Sequence, residues 1–373
     1  MNSIPQRPSI AIIGAGPGGL TAANILTRSG WSFDILEADK TAVSRDQGGT
    51  LDLHPDDGQL ALKRAGLVDE FMALARHEDQ EQRLRDFATG DVLHQDIPEP
   101  GEGTRPEIDR SVLRKLMLSR LNPEFIHWGT RVDEVVSRTD GRHELKTSYG
   151  TYGPYDLVIG ADGAWSKCRA ALTDARPNYT GITFVELWLS DVDRRHPALS
   201  TFVGRGSMFS LHGGVGLIAQ RNGNASIRVY AAFRTEPEYS GRSDKTLANI
   251  TKEQLLEKFK GWAPSLRALI SDCDQIAAVR PISAMSAPLA WPHRDGLTLL
   301  GDAAHLMPPL GVGVNLAMLD ASDLAGALVC GGDDWKSAVN AFEKRMFDRA
   351  TPLAEQTTEA FEEWFSEGAS QVM

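Results

Sequence analysis

Apolar positions along the chain alternate between short continuous runs and longer stretches at helical spacing, with glycine- and proline-bearing turns between them. Ser9–Ile13 reads as a short buried strand, followed by a glycine cluster and a helix from Gly18 to Ser29 that Gly30 ends. Trp31–Glu37 is a second strand, so the chain opens as a strand–helix–strand unit. Leu60, Leu62, Leu67, Phe71 and Leu74 recur at helical spacing and predict one helix over Gly58–Leu74. Arg83–Leu93 reads as a hairpin turning at Thr89-Gly90-Asp91, Pro98–Pro106 as a loop, and Asp109–Leu121 as a helix. Phe125–Trp128 and Val132–Ser137, with Glu144–Ser148 and Thr151–Tyr155, suggest a small β-meander before a buried strand at Asp156–Gly160.

From Thr180 to Arg234 the pattern turns strand-like, in Gly181–Leu189, Ser207–Leu211, Val215–Gln220 and Ile227–Phe233. That shift predicts a second, mostly antiparallel domain. Thr251–Ile270 reads as helical, Leu297–Leu300 as a return to the parallel sheet, and Leu316–Leu328 as a helix. Trp335–Trp364 is a long helix that can break at Pro352; Trp335, Ala338, Val339, Phe342, Met346 and Phe347 form its apolar stripe. The expected fold class is α/β: a Rossmann-like dinucleotide-binding domain, an antiparallel-sheet substrate domain and a long C-terminal helix. The expected division is 1–175 plus 280–332 for the first domain, 176–279 for the second with 80–104 contributing to it, and 333–373 for a bridging helix.

Composition narrows the function. A 42% hydrophobic, 24% charged chain is globular rather than disordered, and 373 residues suffice for two domains. The formal charge of −11 argues against nucleic acid or anionic lipid as a partner. Cys168, Cys273 and Cys330 form no CxxC pair, so neither a metal site nor a disulfide framework is expected, and a cytoplasmic setting fits. The apolar stretch from Ser9 to Leu26 is broken by glycines and is not a leader, and no other run approaches a membrane span.

Three motifs carry the chemistry. Gly14, Gly16 and Gly19 form a GxGxxG, with Pro17 and Gly18 inside it, between a strand and a helix. There the backbone can approach a pyrophosphate, which meets the positive end of the helix. Glu37 ends the next strand, where a carboxylate can accept hydrogen bonds from ribose hydroxyls. This leaves FAD and NAD both open. The second motif is Asp162-Gly163 with Ser166 and Arg169; the third is Gly301-Asp302 with His305, Pro308, Pro309, Gly311, Val312, Gly313 and Asn315.

The order and spacing of the three resemble the group A flavin-dependent monooxygenases, the family that includes p-hydroxybenzoate hydroxylase, over most of the chain. The resemblance implies FAD as cofactor, with Asp302 on its ribityl or ribose hydroxyls. It also implies that Pro309 to Asn315 lie beside the isoalloxazine, and that Asp162 assists the FAD and NAD(P)H regions. Independently, a helix starting near Gly313 aims amide N–H groups at an electron-rich ligand.

Gly48-Gly49-Thr50-Leu51-Asp52-Leu53-His54, then Gly58-Gln59 and Lys63-Arg64-Ala65-Gly66-Leu67, Glu107-Ile108-Asp109-Arg110 with Leu113-Arg114, and Gly301–Pro309 are similar to the tetracycline-inactivating monooxygenases. By that similarity Arg110 and Gly49 belong to the FAD site, and Arg45 lies near the flavin or the NADPH entry path. The chain departs from that group after Pro309, where the loop is one residue shorter and lacks its Gln. In a gapped match Arg228 replaces a substrate-facing histidine, and Ser200 or Thr201 replaces a glutamine.

The implied activity is hydroxylation of an aromatic, phenolic or enolic small molecule through a flavin C4a-hydroperoxide, with O2 and NADPH (or NADH) as co-substrates. The implied assembly is a monomer or weak homodimer, and antibiotic inactivation is one implied role. His212, Arg228 and His305 are candidates to stabilise a phenolate. Phe184, Trp188, Phe202, Met208, Phe209 and Tyr230 are candidates to line the pocket. Two alternatives stay open: a non-catalytic flavin- or aromatic-binding protein, and a flavin halogenase, whose Trp-x-Trp-x-Ile-Pro signature is absent.

Overall fold

The computed structural model describes residues 7–44, 48–99, 104–235 and 249–368; Arg45 lies outside them. β1 (Ile10–Ile13), α1 (Pro17–Arg28) and β2 (Phe33–Glu37) form the opening unit, with β1 and β2 parallel. After β3 (Thr50–Asp52) comes a π-helical turn over Pro55–Gln59, then α2 (Leu60–Ala65) and α3 (Val68–Leu74). The single helix expected over Gly58–Leu74 is thus broken. Gly66 takes φ +72°, a left-handed stop that a glycine adopts without strain, and the chain starts a new helix.

β4 (Gln82–Arg85), β5 (Val92–Asp96), β6 (Glu107–Asp109), α4 (Arg110–Leu118) and β7 (Ile126–Trp128) follow. β8 (Val132–Ser137), β9 (His143–Thr147) and β10 (Gly150–Tyr155) make the three-stranded meander, and β11 (Leu157–Gly160) returns to the first sheet. β12 (Asn178–Leu189) leads through short helices α5 (Val192–Arg195) and α6 (Pro197–Val203) to β13 (Ser207–His212), β14 (Val215–Asn222) and β15 (Ser226–Arg234). The helix expected over Thr251–Ile270 is two: α7 (Lys252–Lys258), with a Thr251/Gln254 capping box, and α8 (Pro264–Ser271), whose leading proline can only start a helix here. β16 (Gln275–Ala284), β17 (Leu297–Leu299), α9 (Asp302–His305), α10 (Gly313–Gly331) and α11 (Trp335–Trp364) complete the chain.

β17-β11-β1-β2-β7 form one all-parallel sheet. Its central strands are buried along their whole length, as expected for a sheet covered on both faces. The second sheet has seven strands in the order β16-β12-β15-β14-β13-β4-β5. It is antiparallel except where β4 joins β13 in parallel, so the 82–96 hairpin belongs to this sheet. β16 also belongs to it as far as Ala284.

Alternation divides the seven-stranded sheet into two faces. Val185, Leu187, Met208, Leu217, Val229, Ala231 and Phe233 point to one side and pack with α6, α7 and α8. Phe184, Leu211, Ile218 and Ala232 point to the other, where Phe361 and Phe365 of the C-terminal segment cover them.

α11 is unbroken through Pro352, which forfeits one hydrogen bond without ending the helix. Its first half buries Val339, Phe342 and Met346 in the core of the parallel-sheet domain. Each such side chain contributes roughly 1.5–3 kcal/mol. One window within Gly313–Trp364 is long and apolar enough to cross a membrane, which the sequence pattern did not suggest; 56% of it is buried inside the protein, with α10 packed between α1 and α11.

β3 pairs with β6, and Glu107 on that ribbon is buried, accepting a hydrogen bond from the Thr50 hydroxyl. Burial raises its pKa from 4.5 to about 8. The folded protein therefore binds this proton more tightly than the unfolded chain. Glu107 contributes stability that is complete below pH 4.5 and is lost as pH rises through about 8. Glu107→Gln is expected to flatten the fall in unfolding free energy over that range and to make the protein more stable than wild type at pH 8.5. Urea denaturation at several pH values measures it; an unchanged slope contradicts the assignment.

Candidate functional site

The glycine turn between β1 and α1 is packed to contact. A Cβ on Gly14 would lie 2.4 Å from the Ala161 carbonyl oxygen, and one on Gly19 would lie 2.1 Å from that of Gly14. At Gly16 a Cβ would meet nothing within 4 Å, so this side of the turn is open. Gly18 lets α1 press against α10 at Ala317. Neither α1 nor α10 has a side-chain cap or an acidic residue in its first turn, so their leading N–H groups are left for a ligand or water.

Glu37 is buried at the end of β2, where its carboxylate accepts hydrogen bonds from the Ala15 N–H at 2.6 Å and the Asp39 N–H at 2.7 Å. Two hydrogen bonds leave further lone pairs for ribose hydroxyls. Arg114 of α4, buried beside it, donates to the Ala15 carbonyl at 3.1 Å and to Asp39 at 3.0 Å, and lies 3.7 Å from Glu37. Arg114 entered the sequence pattern only as part of a resemblance, with no role attached. Its signal was a lone arginine on the apolar side of α4, between Leu113 and Leu116.

The second and third motifs are clamped together. Arg169 is buried, and its guanidinium donates to the carbonyls of Ala164, Asp302 and Ala303. Asp162 closes the turn before it by accepting from the amides of Lys167 and Cys168. Oδ2 of Asp162 thus shapes the loop, while its Oδ1 is buried without a hydrogen-bond partner among the described residues. Asp302, by contrast, is exposed at the start of α9, and its carboxylate takes no hydrogen bond among the described residues. A Cβ on Gly313 would lie 3.9 Å from its Oδ1, and one on Gly311 would lie 4.0 Å from Asp52 Oδ1. The Pro309–Gly313 loop therefore runs between these two carboxylates.

Two residues of the third motif turn inward. Asn315 is buried; its Oδ1 accepts from the His54 and Gly58 amides, and its Nδ2 donates to the Asp52 carbonyl. It staples the loop after β3 to α10 rather than facing a ring. His305 is also buried, its Nε2 at 2.5 Å from Asp320, which further accepts from the Gly301 N–H and from Arg349 of α11. The charge of Asp320 raises the His305 pKa against the cost of burial. This imidazole is committed to an ion pair and is not positioned to meet a substrate.

Gly48, Gly49 and Arg110 meet the second sheet. Gly48 lies so close to Arg228 that a Cβ would sit 2.5 Å from Nη1, and a Cβ on Gly49 would sit 3.1 Å from the Tyr230 hydroxyl. The Arg110 N–H donates to the Gly49 carbonyl. The Arg110 side chain is solvent-accessible, yet its surroundings desolvate it and push its pKa down. Tyr230 and Asp302 oppose that shift, and Arg280 and Arg228 add to it. Such a side chain lines a cleft, between Asp302 on one domain and the sheet face of the other.

Strand parity places the remaining candidates. Phe184, Trp188, Phe209, Arg228 and Tyr230 are on the cleft face, whereas Met208 is in the opposite core and Phe202 stacks on Arg85 behind the sheet. His212 is also on the far face, stacked on Phe87 at 3.6 Å. Ser200 and Thr201 lie on α6, bonded to Asp193, Arg221 and Pro197. The gapped match that set them at a substrate position is therefore corrected. Glu186 is the cleft-face acid that sequence reasoning missed, although it interrupts an otherwise apolar strand.

A family model described as FAD binding domain matches residues 7–350. The chain belongs to the FAD binding domain family. Monooxygenase asqM of Emericella nidulans is 32% identical to it, covering 97% of each chain. The crystal structure of Klebsiella pneumoniae HpxO complexed with FAD and uric acid has a TM-score of 0.82 at 23% identity, covering 97% of this chain and 90% of that one. The tetracycline destructase Tet(51) has a TM-score of 0.69 at 21% identity, covering 95% and 89%. The likeness in fold thus extends across flavin hydroxylases rather than concentrating on the tetracycline-inactivating group.

This FAD-dependent monooxygenase has a site that fits its cofactor. The open side of Gly16, two uncapped helix starts, the Glu37 carboxylate and the unbonded Asp302 carboxylate suit a pyrophosphate, a ribose and a polyol. Glu37→Ala and Asp302→Ala are each expected to weaken FAD binding about 10- to 100-fold, the loss of a hydrogen bond to a charged group. Asp320→Ala leaves His305 and Arg349 without their buried partner and is expected to cost about 3 kcal/mol of stability. FAD titration of apoprotein and thermal melts test these; full flavin retention in both carboxylate variants contradicts the placement.

Proposed function

We propose that this monooxygenase uses NADPH (or NADH) and O2 to insert one oxygen atom at an electron-rich carbon of a small aromatic, phenolic or enolic molecule. Bound FAD supplies the redox chemistry, accepting reducing equivalents from the nicotinamide and activating oxygen. The observation that carries the reading is the cleft face of the second sheet. There Phe209, Tyr230 and Trp364, with Leu310 beside them, are only partly buried, an aromatic wall facing the cleft that Arg110 and Asp302 line on the other side. Such a wall stacks a planar ring and excludes water from the reacting atoms.

The chain's own groups do the holding. Gly14–Gly19 and Glu37 take the adenosine and pyrophosphate half of FAD, and Asp302 takes its polyol. The amides opening α10 would face the flavin ring, and Arg110 places a positive charge at the cleft. HpxO, similar in fold, is complexed with uric acid, a planar heteroaromatic. A tetracycline-like polycyclic enol is the second reading. It is favoured by the Gly48–His54 stretch, whose first two residues abut Arg228 and Tyr230 on the substrate wall.

The test is an absorbance spectrum of the purified protein, followed by NADPH and NADH oxidation with a panel of phenols, hydroxylated heteroaromatics and tetracyclines. The expected result is ligand-stimulated oxidation and a product heavier by one oxygen. Flavin binding with spectral shifts but no turnover for any ligand would favour a binding protein instead.

A further inference from the structure

Glu186 stands in the middle of β12 on the cleft face, and its side chain is only 2% exposed. It is the carboxylate for two guanidiniums. Arg228 of β15 closes on Oε1, and the Nε of Arg280 on β16 donates to Oε2 at 2.7 Å. Arg228 is enclosed: it lies over the Trp188 ring at 4.7 Å and backs onto Gly48. Arg280 is not. Its side chain is 54% exposed, and Nη1 and Nη2 donate no hydrogen bond among the described residues.

An arginine fixed at Nε by a buried carboxylate is oriented, and its outer edge remains a fork of parallel N–H groups that matches an oxyanion. The register puts that fork on the substrate wall, since Arg280 pairs with Phe184 and Glu186 pairs with Tyr230. Among the described residues, Arg280 shares the Glu186 carboxylate with Arg228, each guanidinium on its own oxygen. Arg110 across the cleft adds a further cation within electrostatic reach of both.

We propose that Arg280, oriented by Glu186, is the residue that selects the substrate, binding an oxyanion on its edge (a carboxylate or a phenolate) while Phe209, Tyr230 and Trp364 hold its ring. This rests on the proposed hydroxylase function and names the substrate's charge.

The test compares the FAD-loaded wild type with Arg280→Gln and Arg280→Lys by calorimetric titration and by ligand-stimulated NADPH oxidation. The probes are two matched pairs, 4-hydroxybenzoate with 4-hydroxybenzamide, and 4-nitrophenol above its pKa with 4-nitroanisole. The first pair reads a carboxylate, the second a phenolate. The expected result is that wild type binds the anion of at least one pair about tenfold more tightly than its neutral partner, a 1.4 kcal/mol preference. Arg280→Gln abolishes that preference at unchanged flavin content and melting temperature, and Arg280→Lys, a charge without a fork, restores part of it. Equal binding of both members in wild type, or a preference that survives Arg280→Gln, overturns the assignment. If the neutral members are bound and oxidised as well as the anions, the hydroxylase stands and Arg280 is not its selector. If no probe binds or stimulates oxidation, the aromatic-substrate reading falls and takes this inference with it.

Discussion

A carboxylate with no exposure to water, Asp320, ties this molecule together. Burying a charge is costly unless it is paired and hydrogen-bonded, and Asp320 meets that condition with His305, the Gly301 amide and Arg349. Those three partners come from the turn that presents Asp302 and from the C-terminal helix. Arg349 reaches further, to Asp323, which Arg64 of α2 also contacts. The turn that displays the Asp302 carboxylate is thus held by the same charge that anchors α11.

Anchoring α11 there has an effect far along it. The helix runs without interruption through Pro352 and ends on the second sheet, where Phe361, Trp364 and Phe365 pack against Phe184, Phe209 and Tyr230. Arg234 of β15 donates to the Phe365 carbonyl and closes that end. The aromatic wall of the cleft is therefore assembled from the second sheet and the C-terminal helix. Its position relative to Asp302 depends on one continuous helix that packs in both domains.

What was legible in the sequence was local. The glycine turn, Glu37 at the end of β2 and the parallel strands follow from short-range pattern, because backbone conformation and strand alternation act over a few residues. What was not legible depends on partners far along the chain. Arg114 has meaning only because α4 lands beside the glycine turn, and Arg169 because the third motif folds over the second. His212 and His305 were both candidates, the second also readable as a hydrogen-bonded turn histidine; strand parity turned the first to the far face of the sheet, and Asp320 claimed the other. Glu186 was hidden in plain view, an acid on a buried strand whose two arginines lie 42 and 94 residues away. The helices read as continuous over 58–74 and 251–270 failed where Gly66 and Pro264 overrode periodicity.

The interleaving of the two domains sets an order of assembly. The parallel sheet closes only when β17 reaches β11, some 140 residues after that strand is made, and the carboxylate of Asp302 follows directly behind it. All seven strands of the other sheet precede that moment. During synthesis, which proceeds from the N-terminus, the substrate sheet is finished while the nucleotide fold still lacks an edge. The Gly14–Gly19 turn and Glu37 are thus made long before Asp302, and these parts of the site meet only after all seven strands of the other sheet have been synthesised.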